Sequence, residues 1–123
     1  TRRSSDLFLH RFHRSDPDDL HCHPWPFISV VLRDGYFEHV PEAVNNPAGP
    51  TVKTWYPAGS VLFRPAAWVH RVEVAPGTEP VTLILRGRKV RSWFFYCKSG
   101  PLPWKAYLSR LDAGNAHPCA DGG

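Results

Sequence analysis

The sequence predicts an all-β domain followed by a short C-terminal helix. Three observations predict it. Thirteen Pro and nine Gly are spread along 123 residues, so turns recur too often for long helices. Val, Ile, Phe and Trp cluster between those turns in short runs of strand length. Asp34-Gly35 separates the apolar runs Phe27–Arg33 and Tyr36–Val40, and this dipeptide is a favoured two-residue hairpin turn.

Leu7–Arg14 reads as the first strand, ended by the turn residues Ser15-Asp16-Pro17-Asp18-Asp19. Leu20–His23 is extended, and Pro24-Trp25-Pro26 kinks the path because proline cannot donate to a ladder. After the hairpin, Pro41–Thr51 is a loop. Val52–Tyr56, Val61–Phe63, Trp68–Val74, Val81–Arg86 and Val90–Cys97 supply five more strands, broken at Pro57-Ala58-Gly59, Pro65 and Pro76-Gly77. Strands this short and this dense indicate a sandwich or barrel. Pro103–Leu111 suits a helix: Pro103 fits its first turn, and Trp104, Tyr107, Leu108 and Leu111 share a face. Ala113–Gly123 reads as a frayed tail. The expectation is one domain, 1–123, with a barrel over about 7–97 and a helix and tail over 100–123.

Fifteen Lys plus Arg against eleven Asp plus Glu give a formal charge of +4. The cations are scattered, grouped only at Arg2-Arg3 and around Arg86, Arg88, Lys89 and Arg91, so no nucleic-acid surface is expected. Three Cys with no Cys-x-x-Cys pair predict no disulfide framework. Cys97 then reads as a buried apolar residue and Cys119 as a tail residue. No apolar run has the length of a membrane span, and Thr1-Arg2-Arg3-Ser4-Ser5 has no signal-peptide character. A reducing cytoplasm is the expected compartment.

The chemistry concentrates in histidine. His21-Cys22-His23 places two imidazoles on one face of an extended strand and Cys22 on the other. His70 begins a later strand that a barrel can bring beside them. Imidazole suits zinc, iron, copper and nickel, and three such ligands leave positions open. His10 and His13 lie an odd number apart, so at most one looks inward. His10, grouped with Phe8 and Phe12, is a candidate fourth ligand or base, set against a structural role. Tyr96 is a second weak catalytic candidate. Arg64, Arg86, Trp25 and Tyr36 are candidate substrate contacts at the barrel mouth; for each, a rim salt bridge or a core aromatic is the plainer reading. Trp25, held between prolines two residues past His23, is the favoured cavity wall. A compensating carboxylate would come from Glu38, Glu73 or an Asp within 16–19, with Glu73 facing away. His39 and His117 read as surface residues.

At these residues the chain resembles the cupin superfamily. Its second motif, Gly-x5-Pro-x-Gly-x2-His-x3-Asn, is matched by Gly59, Pro65 and His70 at the same spacing, with Ala67 at the second Gly and Val74 at the Asn. Its first, Gly-x5-His-x-His-x3,4-Glu-x6-Gly, is matched by His21, His23 and, less strictly, Gly35. The Glu ligand would fall at Phe27 or Ile28, neither of which binds metal. The stretch His21 to Phe27 and the later Trp104-Lys105-Ala106-Tyr107-Leu108 look like small single-domain bacterial and phage cupins. The resemblance, over about 7–97, implies a double-stranded β-helix, or jelly-roll, barrel. It also implies a three-histidine centre similar to the iron site of thiol and diketone dioxygenases. Fe(II) is then the expected metal, with Zn, Mn and Ni as alternatives.

Three functions stay open. One is an Fe(II)-dependent dioxygenase acting on a small anionic molecule, with Arg64 or Arg86 neutralising a carboxylate. The second is a metal-dependent isomerase using the ion as a Lewis acid. The third is a non-catalytic metal- or ligand-binding module. A homodimer through an edge or an outer sheet suits strands of this kind.

Overall fold

The computed structural model describes residues 5–16, 19–97, 100–114 and 119, with Ser5 and Asp6 as backbone alone. His117 and residues 17–18 lie outside the described residues. The chain runs β1 (Ser5–Arg11), β2 (Phe27–Arg33), β3 (Tyr36–Pro41), β4 (Thr51–Tyr56), β5 (Val61–Arg64), β6 (Arg71–Glu73), β7 (Val81–Gly87), β8 (Phe94–Cys97), β9 (Gly100–Pro103) and α1 (Trp104–Asp112). It is an all-β jelly roll with a short C-terminal helix.

Two antiparallel sheets carry the fold. One has the order β1-β7-β2-β5 and the other β4-β3-β6. The β2–β3 hairpin turns on Asp34 (φ 70°) and Gly35 (φ 87°), the pair of positive φ values that matches strand twist. A Cβ on Gly35 would stand 2.7 Å from the Tyr56 carbonyl, so the close approach of β4 also requires glycine.

The inward residues of the two sheets meet in a core of Val31, Leu62, Val72 and Tyr36, with Phe12, Tyr56 and Val74 packed against it. Tyr36, expected at the barrel mouth, is therefore placed in the core. It is 5 % exposed, and burial pushes its phenol up to about 12.

The expected closed barrel is open among the described residues. β8 and β9 form a separate two-stranded sheet, and isolated bridges from His21 to His70 and to Phe95 link the layers. Proline explains the gap. Pro24, Pro26 and Pro65 flank the bridging segments and have no N–H with which to extend a ladder.

The strand expected from Val90 starts only at Phe94, because the Val90 and Arg91 N–H groups donate to the Pro24 carbonyl instead. Pro103 closes β9 and caps the helix rather than sitting in its first turn. Tyr107 docks α1, its ring stacked 3.7 Å from Phe95 and its hydroxyl donating to Asp19 at 2.8 Å.

Cysteine pairing also departs from expectation. Cys97 and Cys119 are disulfide-bonded, so Cys119 pins the chain beyond α1 to β8. An odd cysteine count concealed the pair, because Cys22 is the free and fully buried one.

Candidate metal centre

The segment Leu20–His23 is wedged between β8 and the start of β6. His21 and His70 exchange two backbone hydrogen bonds of 2.9 Å. The Tyr96 N–H donates to the Leu20 carbonyl at 2.8 Å, Cys22 N–H to Phe94 at 3.1 Å, and His23 N–H to Ala66 at 3.0 Å. The segment is thus held straight from both sides, and alternation sends His21 and His23 the same way.

The three rings form a nearly equilateral triangle. Centroids lie 5.0 Å apart for His21–His23, 5.0 Å for His23–His70 and 5.2 Å for His21–His70, with interplanar angles of 71°, 70° and 64°. One ligating atom from each residue lies within 4.8 Å of the other two. Cys22 is not in the cluster.

Burial strips water from the rings of His21 and His23, and repulsion from His70 adds to it. Their values fall to about 3 and about 2, so both are neutral and able to donate lone pairs at ordinary pH. The Nδ1 atoms of His21 and His23 are buried with no hydrogen-bond partner among the described residues. Unpartnered buried polar atoms are costly unless a ligand engages the group. A cluster of three imidazole nitrogen donors fits a first-row divalent cation.

Glu38, on the buried face of β3, organises the third imidazole. Its Oε2 accepts from His70 Nδ1 at 2.5 Å, from Arg64 Nε at 3.0 Å and from Trp68 Nε1 at 3.2 Å, while Oε1 accepts from Arg64 Nη2 at 2.7 Å. A carboxylate only accepts, so Nδ1 carries the proton and Nε2 of His70 is left as the donor toward an ion. Burial alone would raise the Glu38 carboxyl, but the hydrogen bonds from His70 and Arg64 outweigh it and hold it at about 2.

Arg64 therefore is not at the mouth. Its fork is engaged by Glu38, and its guanidinium lies 4.6 Å from the Trp68 ring centre, with the whole residue buried. Asp16 stands on the other flank, 3.9 Å from His21 Nε2, and accepts from the Val72 N–H at 2.8 Å.

His10 is exposed on β1, its ring 4.2 Å from Phe12, and does not join the trio. Tyr96 points away as well. It alternates with Phe95, whose ring is 5.4 Å from His21, and its phenol is raised by burial and by a contact with Cys22 on the opposite side of the segment. Glu73 holds His39 at 2.7 Å and Lys53 at 3.3 Å, apart from the centre. Phe27 is the immediate apolar neighbour, 5.0 Å from His23 and 6.2 Å from His70. Phe27 stands opposite Arg86 across the β2–β7 ladder, so the two share the inward face. The Arg86 guanidinium stacks 4.2 Å from the centre of the Trp25 ring. Phe27, Trp68 and the Glu38–Arg64 pairing escaped sequence reasoning; only the alternation of Tyr36 and Glu38 on β3 hinted that Glu38 was inward.

No family model and no curated protein sequence matches the chain. Solved structures do. A cupin domain from Bordetella pertussis Tohama I is 19% identical with a TM-score of 0.51, covering 72% of this chain and 85% of its own. Oxalate oxidase in complex with the substrate analogue glycolate is 15% identical with a TM-score of 0.56, covering 93% of this chain. Hydroxypropylphosphonic acid epoxidase from S. wedmorenis is 18% identical with a TM-score of 0.50, covering 69% of this chain. The match spans 60% of the oxidase chain and 44% of the epoxidase chain. Facing antiparallel sheets with an imidazole trio between them, superposing on a solved cupin domain along most of both chains, make this a cupin fold.

Proposed function

We propose that His21, His23 and His70 hold a divalent transition metal, Fe(II) in the active form, and that the protein is a dioxygenase-type oxidoreductase acting on a small anionic molecule. The triangle of three clustered imidazoles carries this reading. An iron(II) ion held by three imidazoles supplies redox chemistry toward dioxygen and has coordination positions left for substrate. Two structural neighbours support it: the epoxidase is known with Fe(II), and the oxidase with glycolate, a small carboxylate.

The chain's own residues divide the work. Glu38 fixes the tautomer and orientation of His70. Phe27 and Trp25 wall the site with apolar surface and exclude water. Arg86, stacked on Trp25 along the inward face, meets the anionic group of the substrate. The chain acts as one domain. No helix among the described residues is long and apolar enough to cross a membrane. The Cys97–Cys119 bond weighs against the reducing compartment expected from the cysteine count.

Elemental analysis of protein purified without added metal, followed by oxygen uptake with small thiol acids and diketones, tests the reading. Stoichiometric iron with substrate-dependent oxygen uptake supports it. Zinc, manganese or nickel with no oxygen uptake overturns the oxygenase and leaves an isomerase or a non-catalytic module. Absence of any metal, with none taken up from solution, overturns the centre itself.

A further inference from the structure

The four-stranded sheet departs from an ordinary half-solvated sheet on its outward face. Such a sheet turns apolar residues inward and polar ones to water. The inward face carries the core residues Val31 and Leu62 beside Ser29, Thr82, Arg64 and Arg86, yet the outward face carries only aliphatic and aromatic side chains over two successive register rows. The first row reads Leu7, Leu85, Ile28, Phe63 across β1, β7, β2 and β5. The second reads Leu9, Leu83, Val30, Val61. Directly opposed residues share a face, so the eight side chains form one grid. Leu7 and Leu9 are each 65 % exposed, Val61 67 % and Phe63 61 %.

Together with Leu32, the grid exposes on the order of 700 Å² of apolar surface, beyond the few hundred Å² that monomers usually leave open and close to the ~800 Å² each partner of a stable complex buries. We propose that a second copy of this chain covers it, sheet against sheet. The patch has no internal charge and hence no feature that would select a different, charge-complementary partner. Its charges lie at the two ends, with Arg88 and Lys89 following Gly87 at one and Arg11 and Arg33 standing at the other. Arg11 follows Leu9 on the outward face of β1, and the irregularity between Val31 and Arg33 turns Arg33 outward opposite Val81.

Sedimentation velocity on the full chain from about 1 to about 100 μM reads the outcome. A species of twice 13.9 kDa is expected. The double variant Leu9→Lys with Val61→Lys changes two side chains that are about two-thirds exposed, and it is expected to weaken the dimer at least about 100-fold. Its circular dichroism spectrum and metal content should match the parent's. Phe63→Glu on the edge strand β5 serves as an independent variant should the first not fold. A parent chain that stays monomeric throughout, or a folded variant that dimerises as well as the parent, overturns the proposal.

Discussion

Replacing Glu38 by Gln keeps the volume and removes the charge. The structure says what that removes. Glu38 is 2 % exposed and accepts four hydrogen bonds, three of them from groups that prefer an anion. Its carboxyl sits at about 2 against an ordinary 4.5. At ~1.4 kcal/mol per pH unit, that difference corresponds to about 3 kcal/mol of folding stability at neutral pH. A Gln amide offers one oxygen and one NH₂ group, so a donor from Arg64 or His70 would face another donor. Breaking a buried pair in this way costs ~3–5 kcal/mol. Because the folded-state value is depressed, the contribution is complete above the unfolded value and is lost as pH falls from about 5 toward 2. Urea denaturation of parent and variant should therefore differ by about 3 kcal/mol at pH 7 and converge only as pH approaches about 2. His70, freed of its acceptor, should also lose affinity for Zn²⁺ about 10- to 100-fold in a chelator competition. A variant within about 0.5 kcal/mol of the parent, with unchanged affinity, would refute the role given to Glu38.

Three further outcomes follow from the same geometry. His70→Ala removes one of three donors, and the purified protein should retain almost no metal by elemental analysis; full occupancy would remove His70 from the centre. In the metal-free protein, His21 and His23 stay neutral while the unfolded chain takes up protons below about pH 6.5, so stability falls on acidification by about 1.4 kcal/mol per pH unit for each ring. Denaturation midpoints measured from pH 7 to 4 should show this slope, reduced by about half in His23→Gln; a flat profile contradicts the burial of the rings. Cys119→Ser opens a loop with a sequence separation of 22 residues. It should lower stability by about 3 kcal/mol on the chain-entropy account, and thiol titration of the unfolded parent should find one free cysteine, Cys22.

The parts of this fold set by neighbours along the chain were legible in the residues. Asp34-Gly35 specifies its turn because few residues other than Asn, Asp and Gly tolerate positive φ there. Spacing two in His21 and His23 specifies a shared side of an extended segment, whatever flanks it. What escaped depends on contacts between distant segments. Glu38 reaches 26 residues ahead to Arg64 and 32 to His70, and local alternation hints at its inward side but says nothing of the donors it meets there. Arg64 read as a rim cation because its acceptor lies on another sheet. Cys97 and Cys119 lie in segments with no common pattern, and a count of three concealed their pairing. The outward apolar grid was invisible for the same reason: each strand alternates acceptably alone, and only the register shows Ser29 and Thr82 inside and Leu85 and Phe63 outside.

The charge arrangement gives this centre a definite electrostatic character. The carboxylate nearest His70 is already matched by Arg64, which takes two of its hydrogen bonds. Glu38 therefore stabilises a protonated Nδ1 without delivering a full negative charge to the trio. The rings of His21 and His23 are neutral, and the metal-ligating positions of Phe27 and Ile28 in the related motif hold hydrocarbon. A divalent cation placed among His21, His23 and His70 would keep nearly its whole charge in a poorly solvated setting, where Coulomb attraction to an anion is strongest. Among the described residues Asp16 is the further carboxylate on this flank, 3.9 Å from His21, and its oxygen is taken up by the Val72 N–H. The anionic ligand proposed above would supply what the protein withholds. Glu38→Gln should uncouple two effects that an inner-sphere carboxylate would join: metal affinity falls through the loosened His70, while the preference of the loaded site for anions over neutral isosteres persists, as competition binding of acetate against acetamide would show.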